Sequence, residues 1–218
     1  MDLRDATLDE LRPALAPAIA TNAAFDGWNM RALDAAADSL GVDRDVARLA
    51  FTDGSVAMID AWFAAIDAAM LARFTPEALA AMKIRARITA LVEARLDLLA
   101  PNREALRRAA AILALPQNTP RAARLGWRAA DTMWRAAGDT ATDYNHYSKR
   151  ATLGAVYAAT LAVFLADESE GHAETRAFLA RRIENIMQFE KAKAKWLVPS
   201  ERHFSLSRFI GRLRYPAI

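Results

Sequence analysis

The sequence contains no cysteine, and this absence excludes several kinds of chemistry. Without thiols, the chain can form no disulfide, use no thiolate nucleophile and offer no sulfur ligand to zinc or to an iron–sulfur cluster. A chain without cysteine also suits a reducing compartment. On this basis we expect a cytoplasmic protein.

Glycine and proline are also scarce, with 8 of each among 218 residues. Alanine is abundant, hydrophobic residues make up 54% of the chain, and no segment alternates between apolar and polar residues as a strand does. This composition is typical of helices, and the length fits one domain most simply. A net charge of +3 does not by itself support nucleic-acid binding.

Long hydrophobic runs are absent as well. The N-terminal residues Met1–Asp5 carry mixed charge without an apolar segment, so we expect no secretory signal. The longest uncharged stretch, Ala151–Ala166, is shorter than the roughly 18 residues typical of a membrane span. We therefore expect a buried helix there.

Capping residues, prolines and glycines predict an all-α fold of about ten helices. Thr7 and Glu10 have the spacing of a capping box, and Pro76 suits the first position of the fifth helix. The predicted helices run from Thr7 to about Thr21, Asn29 to Leu40, Asp43 to Phe51, Ser55 to Phe74, Thr75 to before Pro101, Asn102 to Pro116, Thr119 to Gly138, Tyr144 to Asp167, His172 to Lys195 and Ser200 to Tyr215. We expect one helical domain over residues 1–198 and a separate amphipathic helix within 199–218.

Residues 28–42 have the pattern of a helix-turn-helix: a helix with apolar residues at helical spacing, a break at Gly41 and a second short helix. With the long helix that follows, this region resembles the N-terminal part of tetracycline-repressor-type regulators. Between Asn29 and Gly54 acids outnumber bases, and this balance would repel phosphate. The acids are Asp34, Asp38, Asp43, Asp45 and Asp53, and the bases are Arg31, Arg44 and Arg48. We therefore interpret residues 1–54 as a degenerate helix-turn-helix that serves as scaffold and binds no nucleic acid.

The motifs of the common catalytic chemistries are missing, including a glycine-rich phosphate loop, a Gly-x-Ser-x-Gly elbow and a Glu-x-x-His pair. Asp143 and His146 lie one helical turn apart, a spacing that could hold a metal or a general base. An aspartate and a histidine at this spacing more often form a hydrogen-bonded pair on the surface than a metal site or a general base. We expect no metal, no cofactor and no catalytic residue.

The segment from Asp131 to Arg150 carries the most specific pattern in the chain. Its distinctive residues are Asp131-Thr-Met-Trp134, Ala137-Gly138-Asp139, Thr142-Asp143-Tyr144-Asn145, Tyr147 and Arg150. In type and spacing they resemble the hallmark of the Coq-nine family of ubiquinone-biosynthesis accessory proteins, and the resemblance extends to about Gln188. His146 is a difference, because mitochondrial members tend to carry tryptophan there.

The resemblance implies a tetracycline-repressor-like fold without DNA binding, in a protein that catalyses no reaction itself. It also implies that the chain binds an isoprenoid quinone or a precursor lipid and presents it to a quinone hydroxylase at the membrane. A homodimer is also expected, and whether it forms through the eighth and ninth helices, as in repressors of this type, stays open from the sequence. The absence of a presequence and the alanine- and arginine-rich composition favour a bacterial member, peripheral on the inner face of the bacterial membrane.

The eighth predicted helix is apolar all round, which is typical of a helix in the middle of a bundle. Its larger side chains form one stripe and its alanines fill the other side, so the helix either packs closely or leaves room for an alkyl chain. The residues alone favour close packing, and the resemblance favours a lipid. The expected lipid-binding residues are Trp134, Leu153, Val156, Tyr157, Thr160, Leu161 and Phe164.

The start of the same helix is expected to form a partner-binding surface. An exposed aromatic residue beside a cation is a common interface anchor, and this segment offers both. The expected partner-binding residues are Met133, Asp143, Asn145, His146, Tyr147 and Arg150.

The last predicted segment, after Pro199, has apolar residues at i, i+3, i+4 and i+7 and arginines at other positions. Such a helix can dock on its own domain or lie on an anionic membrane surface with its arginines among the headgroups. The enrichment in arginine favours the membrane. The expected membrane-binding residues are Phe204, Leu206, Arg208, Phe209, Ile210, Arg212, Leu213 and Tyr215.

Two other functions remain open from the sequence. One is a ligand-responsive transcription regulator of the tetracycline-repressor type, which the helix-turn-helix pattern would serve. The other is an enzyme that acts through Asp143 and His146.

Overall fold

The computed structural model describes residues 3–140, 142 and 144–197, and every regular element within these ranges is helical. The α-helices there are α1 (Leu8–Asp26), α2 (Met30–Leu40), α3 (Arg44–Ala50), α4 (Ser55–Ala72), α5 (Pro76–Ala80), α6 (Ile84–Leu99), α7 (Arg103–Leu113), α8 (Thr119–Ala136), α9 (Tyr144–Ala166) and α10 (Ala173–Leu197). The prediction of an all-α fold is confirmed. Most predicted helix ends lie within two residues of the observed ones.

The chain divides into two compact units, and the boundary falls within α10. The described residues up to Ile183 form the first unit, and Glu184 begins the second. The boundary that the sequence predicts, between residues 198 and 199, lies outside the described residues.

α1 is a central helix of the first unit and contacts α2, α3, α4 and α7. The sequence predicts an end near Thr21, but the helix continues to Asp26 and stops at Gly27, where φ is +81°. Pro13 and Pro17 lie inside it, and each removes one backbone donor. The helix continues past both because its inner face is packed against its neighbours. The buried residues of that face are Leu11, Leu15, Ala16, Ile19, Ala20 and Ala23.

α2 and α3 form the predicted hairpin, and capping residues define their ends. The Asn29 side chain accepts hydrogen bonds from the first backbone N–H groups of α2, and Asp43 does the same for α3. Gly41 ends α2 in the left-handed conformation, with φ of +67°. The sequence therefore specifies this hairpin locally.

The sequence predicts one long helix where the structure has α5 and α6, separated at residues 81–83. Arg87 stabilises the break, because its Nε donates to the carbonyl oxygen of Met82 and its Nη2 to that of Ala80, each at 2.9 Å. Its Nη1 donates to the carbonyl oxygen of Ala137, just after α8, at 2.8 Å. One guanidinium thus satisfies carbonyl groups that two helix ends would leave unpaired.

α9 packs against α8 through a contact of two glycines. A Cβ atom on Gly154 would lie 3.7 Å from the carbonyl oxygen of Gly126, an ordinary van der Waals distance, so the spacing of the helices at this point would also accept an alanine. The other side of α9 carries the exposed residues Ala151, Ala155, Ala158, Ala159, Ala162 and Ala166. The expectation that α9 lies in the middle of the bundle is therefore wrong for the described residues, because nothing described covers this side.

α4 and the Asn145–Ala166 part of α9 are long and apolar enough to cross a membrane when only length and composition are considered. Core helices of a bundle meet the same criteria. α4 buries Met58, Ile59, Trp62 and Met70 against its neighbours. Length and composition therefore do not distinguish these two helices from core helices.

Candidate functional site

Ion pairs join the start of α9 to the end of α8. Arg150, which is 2% exposed, donates from Nε to Oδ1 of Asp131 at 2.5 Å and from Nη1 to Oδ2 of Asp139 at 3.0 Å. Lys149 Nζ donates to Oδ1 of Asp139 at 2.6 Å. These residues of the distinctive segment therefore hold the two helices and the turn between them in place.

The same contacts change the acidity of the carboxyl groups. Burial opposes ionisation of both aspartates, but the hydrogen bonds from Arg150, Arg135 and Lys149 outweigh it. The pKa values of Asp131 and Asp139 therefore lie below the ordinary value. Burial would lower the pKa of Arg150, but its bonds to the two aspartates outweigh burial and raise it. The network is charged at neutral pH.

Three rings lie together on the surface where α8 passes the start of α9, and we name Trp127, His146 and Tyr147 the aromatic patch. Tyr147 is 61% exposed, Trp127 is 38% exposed and His146 is half-buried. The ring centroids of Trp127 lie 6.1 Å from Tyr147 and 6.4 Å from His146, and the latter two are 5.1 Å apart. The sequence predicts His146 and Tyr147 as a surface pair but misses Trp127.

The other residues expected on the partner surface differ in their placement. Asn145 is exposed, and Asp143 lies outside the described residues. Met133 is 0% exposed on the inner side of α8, and Arg150 is enclosed by two aspartates. The expectation that Met133 and Arg150 present an accessible surface is wrong, because one belongs to the core and the other to the ion pairs.

The residues expected to bind a lipid lie in the core or beside it. Leu153, Tyr157, Thr160 and Phe164 are buried, and Trp134, Val156 and Leu161 pack against the core from half-buried positions. The Nε1 of Trp134 donates to the carbonyl oxygen of Lys149 at 3.0 Å. These positions agree with the close packing that the sequence pattern favours when the family resemblance is left aside. A lipid-binding role for these side chains stays a prediction.

A buried ion pair joins α4, α6 and α9. Arg95, 1% exposed, pairs with Asp67, and its Nε donates to the hydroxyl of Tyr157 at 3.0 Å. Arg128 of α8 continues the chain of charges, since its Nε lies 3.3 Å from Oδ2 of Asp67 and its Nη1 pairs with Asp60. Tyr157 is thus part of a structural network of charged side chains that begins in α9 and ends at Arg128 of α8 and Asp60 of α4.

A groove of about 880 Å³ lies between α1, α4 and α8, beside the loop that follows α3. Proline, alanine, valine and leucine side chains form its apolar part. We name it the arginine groove, after Arg12, Arg121, Arg124 and Arg128, which line it together with Asp53 and Asp60. The sequence assigns none of these arginines to a site.

No group of three or more histidine, aspartate and glutamate side chains that could hold a metal occurs among the described residues. The Asp143–His146 pair is untested, because Asp143 lies outside them. The expected membrane-binding residues also lie outside the described residues; they are Phe204, Leu206, Arg208, Phe209, Ile210, Arg212, Leu213 and Tyr215.

The helices that carry the ion pairs and the aromatic patch match a known family. Residues 119–190, from the start of α8 into α10, match the family model described as COQ9. We refer to this matched segment, about a third of the chain, as the COQ9 domain. The distinctive segment of the sequence, from Asp131 to Arg150, lies wholly within it.

Curated relatives of the COQ9 domain carry the same name. The chain is 43% identical over 96 residues to "Ubiquinone biosynthesis protein COQ9, mitochondrial" of Rattus norvegicus and 42% identical to that of Homo sapiens. Each match covers 44% of this chain and 31% or 30% of the relative, so the chain spans less than a third of these proteins' length. The Drosophila melanogaster protein is 25% identical over 193 residues, which cover 87% of this chain and 59% of the relative.

Most of the chain resembles a solved structure in its fold. The TetR transcriptional regulator from Nitrosomonas europaea ATCC 19718 superposes with a TM-score of 0.65 at 26% identity. The match covers 82% of this chain and 98% of that one. The predicted tetracycline-repressor-like fold is confirmed.

The expectation of a bacterial protein, cytoplasmic and peripheral on the inner face of the bacterial membrane, is wrong. The curated COQ9 relatives from rat, human, cattle and fly are named as mitochondrial. Alanine and arginine content reflects helix preference, and the absence of cysteine excludes disulfides without selecting a compartment. Neither the composition nor the absence of cysteine therefore supports a cytoplasmic bacterial location.

The sequence did contain a signal for the arginines of α8 in the COQ9 domain. Arg121, Arg124 and Arg128 recur at i, i+3 and i+7, a spacing that places them on one side of a helix. Nothing in the spacing indicates which helices face that side. The contribution of α1 and α4 to the arginine groove becomes visible only in the structure.

Proposed function

We propose that this chain is an accessory protein of ubiquinone biosynthesis that binds an isoprenoid quinone precursor and presents it to a ring-modifying hydroxylase at a membrane. It catalyses no step of the pathway itself. The observation that carries this proposal is the COQ9 domain at residues 119–190, which contains both the aromatic patch and the ion pairs of Arg150. The curated proteins that share the domain are named for ubiquinone biosynthesis.

The aromatic patch supports the partner step. Large aromatic side chains are enriched among the residues that contribute most to protein–protein binding. Tyr147 and Trp127 offer that surface, and the buried Arg150 fixes the helix turn from which Tyr147 projects. An ordered base lowers the entropy lost when a partner docks. We therefore assign the hydroxylase to this surface, with Asn145 at its edge.

The apolar seam between α8 and α9 supports the lipid step. Val156 and Leu161 are half-buried there, and no charged residue occurs in α9 after Arg150. An isoprenoid chain needs such a surface because it has no group that could pair with a charge. The buried Leu153, Tyr157, Thr160 and Phe164 would join it only when α9 also moves away from α6 and α7, whose Arg95 and Arg103 contact Tyr157 and Phe164.

Two further contacts belong to the proposal. The exposed alanine side of α9 suits a homodimer, because small side chains let two helices approach closely. The basic amphipathic segment within residues 199–218 would hold the chain on an anionic membrane.

Quinone production in cells tests the proposal. In cells that lack their own COQ9-domain protein, this chain should restore the quinone content of extracted lipids, and the purified chain should carry an isoprenoid lipid in native mass spectrometry. Tyr147→Ala should restore less quinone while its circular dichroism and lipid content stay unchanged. Phe25→Ala is the matched control, because it removes another exposed aromatic side chain outside the COQ9 domain. A folded chain that restores no quinone and carries no lipid would contradict the proposal.

A further inference from the structure

We propose that the arginine groove binds an amphiphilic organic anion, with its carboxylate or phosphate on the arginines of α8 and its apolar part against α1 and α4. This ligand is distinct from the lipid of the proposed function. A quinone ring is uncharged, so it could not neutralise the positive charge of the groove.

The groove has more positive than negative charge. Four arginines and two aspartates line it, and two of the arginines are committed to these acids. Arg121 pairs with Asp53 at 3.3 Å, and Arg128 pairs with Asp60. Arg12 pairs with Asp9, which does not line the groove, so within the described ranges Arg124 is left to carry the positive charge that an anion can complement.

Arg124 is the guanidinium with the greatest capacity for a ligand. It has no ion pair or hydrogen bond within the described ranges, and it lies one turn of α8 from both Arg121 and Arg128. Arg12, by contrast, donates from Nε to the carbonyl oxygen of Ala50 at 2.8 Å and from Nη1 to Asp9 at 2.9 Å. A guanidinium presents a planar pair of donors that matches a carboxylate or phosphate, which a lysine would not.

The size and lining of the groove indicate an organic ligand. A volume of about 880 Å³ lies within the usual range for pockets that hold small molecules and far exceeds the needs of an inorganic anion. Much of the wall is apolar, from Pro13 of α1 to Ala57, Ala61 and Ala64 of α4. Such a wall contributes to binding only when the ligand has an apolar part to bury.

Octyl phosphate is a suitable probe, used with the intact chain below the concentration at which it forms micelles. Binding is measured by isothermal titration calorimetry at constant ionic strength. 1-Octanol supplies the same apolar chain without charge, and inorganic phosphate supplies the charge without the chain. We expect octyl phosphate to bind at least about tenfold more tightly than either.

Arg124→Gln should weaken octyl phosphate binding at least about tenfold, because it removes the unpaired guanidinium. No described contact of the protein is lost with it, so circular dichroism and thermal unfolding should not change. Arg181→Gln makes the same substitution at an exposed position of α10 outside the groove and should leave binding intact. Ala64→Glu places a carboxylate in the apolar wall and should also weaken binding.

Three results would overturn the assignment. Octanol or inorganic phosphate could bind as tightly as octyl phosphate, Arg124→Gln could match Arg181→Gln, or Arg124→Gln could lose the copurifying quinone. The last result would mean that the groove holds the quinone lipid and no separate anion. The proposed function is tested separately, by the quinone production of cells that carry the Tyr147→Ala variant.

Discussion

The Nε of Arg150 in α9 donates to Oδ1 of Asp131 in α8 across 2.5 Å, in a place where the arginine is almost fully buried. Removal of the guanidinium leaves each aspartate with one cationic partner in place of two, Arg135 for Asp131 and Lys149 for Asp139. We expect Arg150→Met to lower the free energy of unfolding by at least about 2 kcal/mol in chemical denaturation at neutral pH.

Arg135→Met is the matched control for that substitution. Arg135 also pairs with Asp131, at 2.8 Å, but its side chain is largely exposed. We expect a change of at most about 1 kcal/mol, as for other surface ion pairs. Equal effects of the two substitutions would contradict a structural role for the buried network.

The lowered pKa of Asp139 predicts a loss of stability in acid. A carboxyl group with a lower pKa in the folded state stabilises that state above its unfolded pKa, which is about 3.9, and this contribution disappears as pH falls through the folded pKa. We expect the free energy of unfolding of the native chain to fall steadily below about pH 5. Asp139→Asn should reduce that slope in urea titrations between neutral and acidic pH, whereas Asp5→Asn at an exposed position should preserve it.

The fold and the site differ in how much the sequence reveals of them. Asn29, Gly41 and Asp43 act on backbone groups within a few residues, so the hairpin of α2 and α3 could be predicted. The continuation of α1 past Pro13 could not, because it depends on packing against four other helices. The pair of Arg95 and Asp67 and the arginine groove likewise depend on residues far apart in sequence.

The distinctive segment from Asp131 to Arg150 made part of the site recognisable from the sequence. Asp131, Asp139 and Arg150 could be recognised as a pattern, but the pattern does not reveal that their charges point at each other inside the protein. Trp127 lies only a few residues before the pattern and belongs to the same surface. Its place in the aromatic patch could not be predicted, because it depends on how the start of α9 packs against α8.

Binding to DNA should be weak and unselective. Arg44 pairs with Asp38 at 2.5 Å and Arg48 with Asp34 at 2.7 Å, so acids of the same hairpin occupy two of its three arginines. Filter binding with duplex DNA should show only low, salt-sensitive affinity. Asp34→Asn should increase that affinity because it removes one of the two acidic partners of Arg48 and leaves only Asp45, whereas Asp5→Asn should not. A tight, sequence-selective complex at physiological salt would contradict this prediction.

The aromatic patch should act as one unit in partner binding. Trp127→Ala and Tyr147→Ala should each weaken capture of the proposed hydroxylase partner by at least about tenfold. The double substitution should cost less binding free energy than the sum of the single ones, because the rings contact each other. Phe25→Ala should leave capture unchanged. Stability should change little for Tyr147→Ala because most of that side chain is exposed. Unfolding of this variant would show instead that Tyr147 belongs to the core.

The segment after Pro199 should be separable from the rest of the chain. Truncation at Val198 should leave thermal unfolding nearly unchanged and abolish sedimentation with vesicles that contain anionic lipid. Phe209→Glu should also lose most of this binding, since it places a carboxylate in the apolar stripe, and added salt should weaken what the arginines contribute. Vesicle binding that survives truncation, or melting of the helices on truncation, would contradict the membrane role.

Arg87 lies outside the break between α5 and α6, yet its guanidinium satisfies two carbonyl groups there and a third beside Gly138. Part of what separates the two helices therefore lies outside residues 81–83, in a side chain of α6. The same side chain ties the break to the turn after α8. A lysine at position 87 has one nitrogen in place of three and cannot donate to all three carbonyl groups. The separation of α5 from α6 therefore depends on a single planar guanidinium.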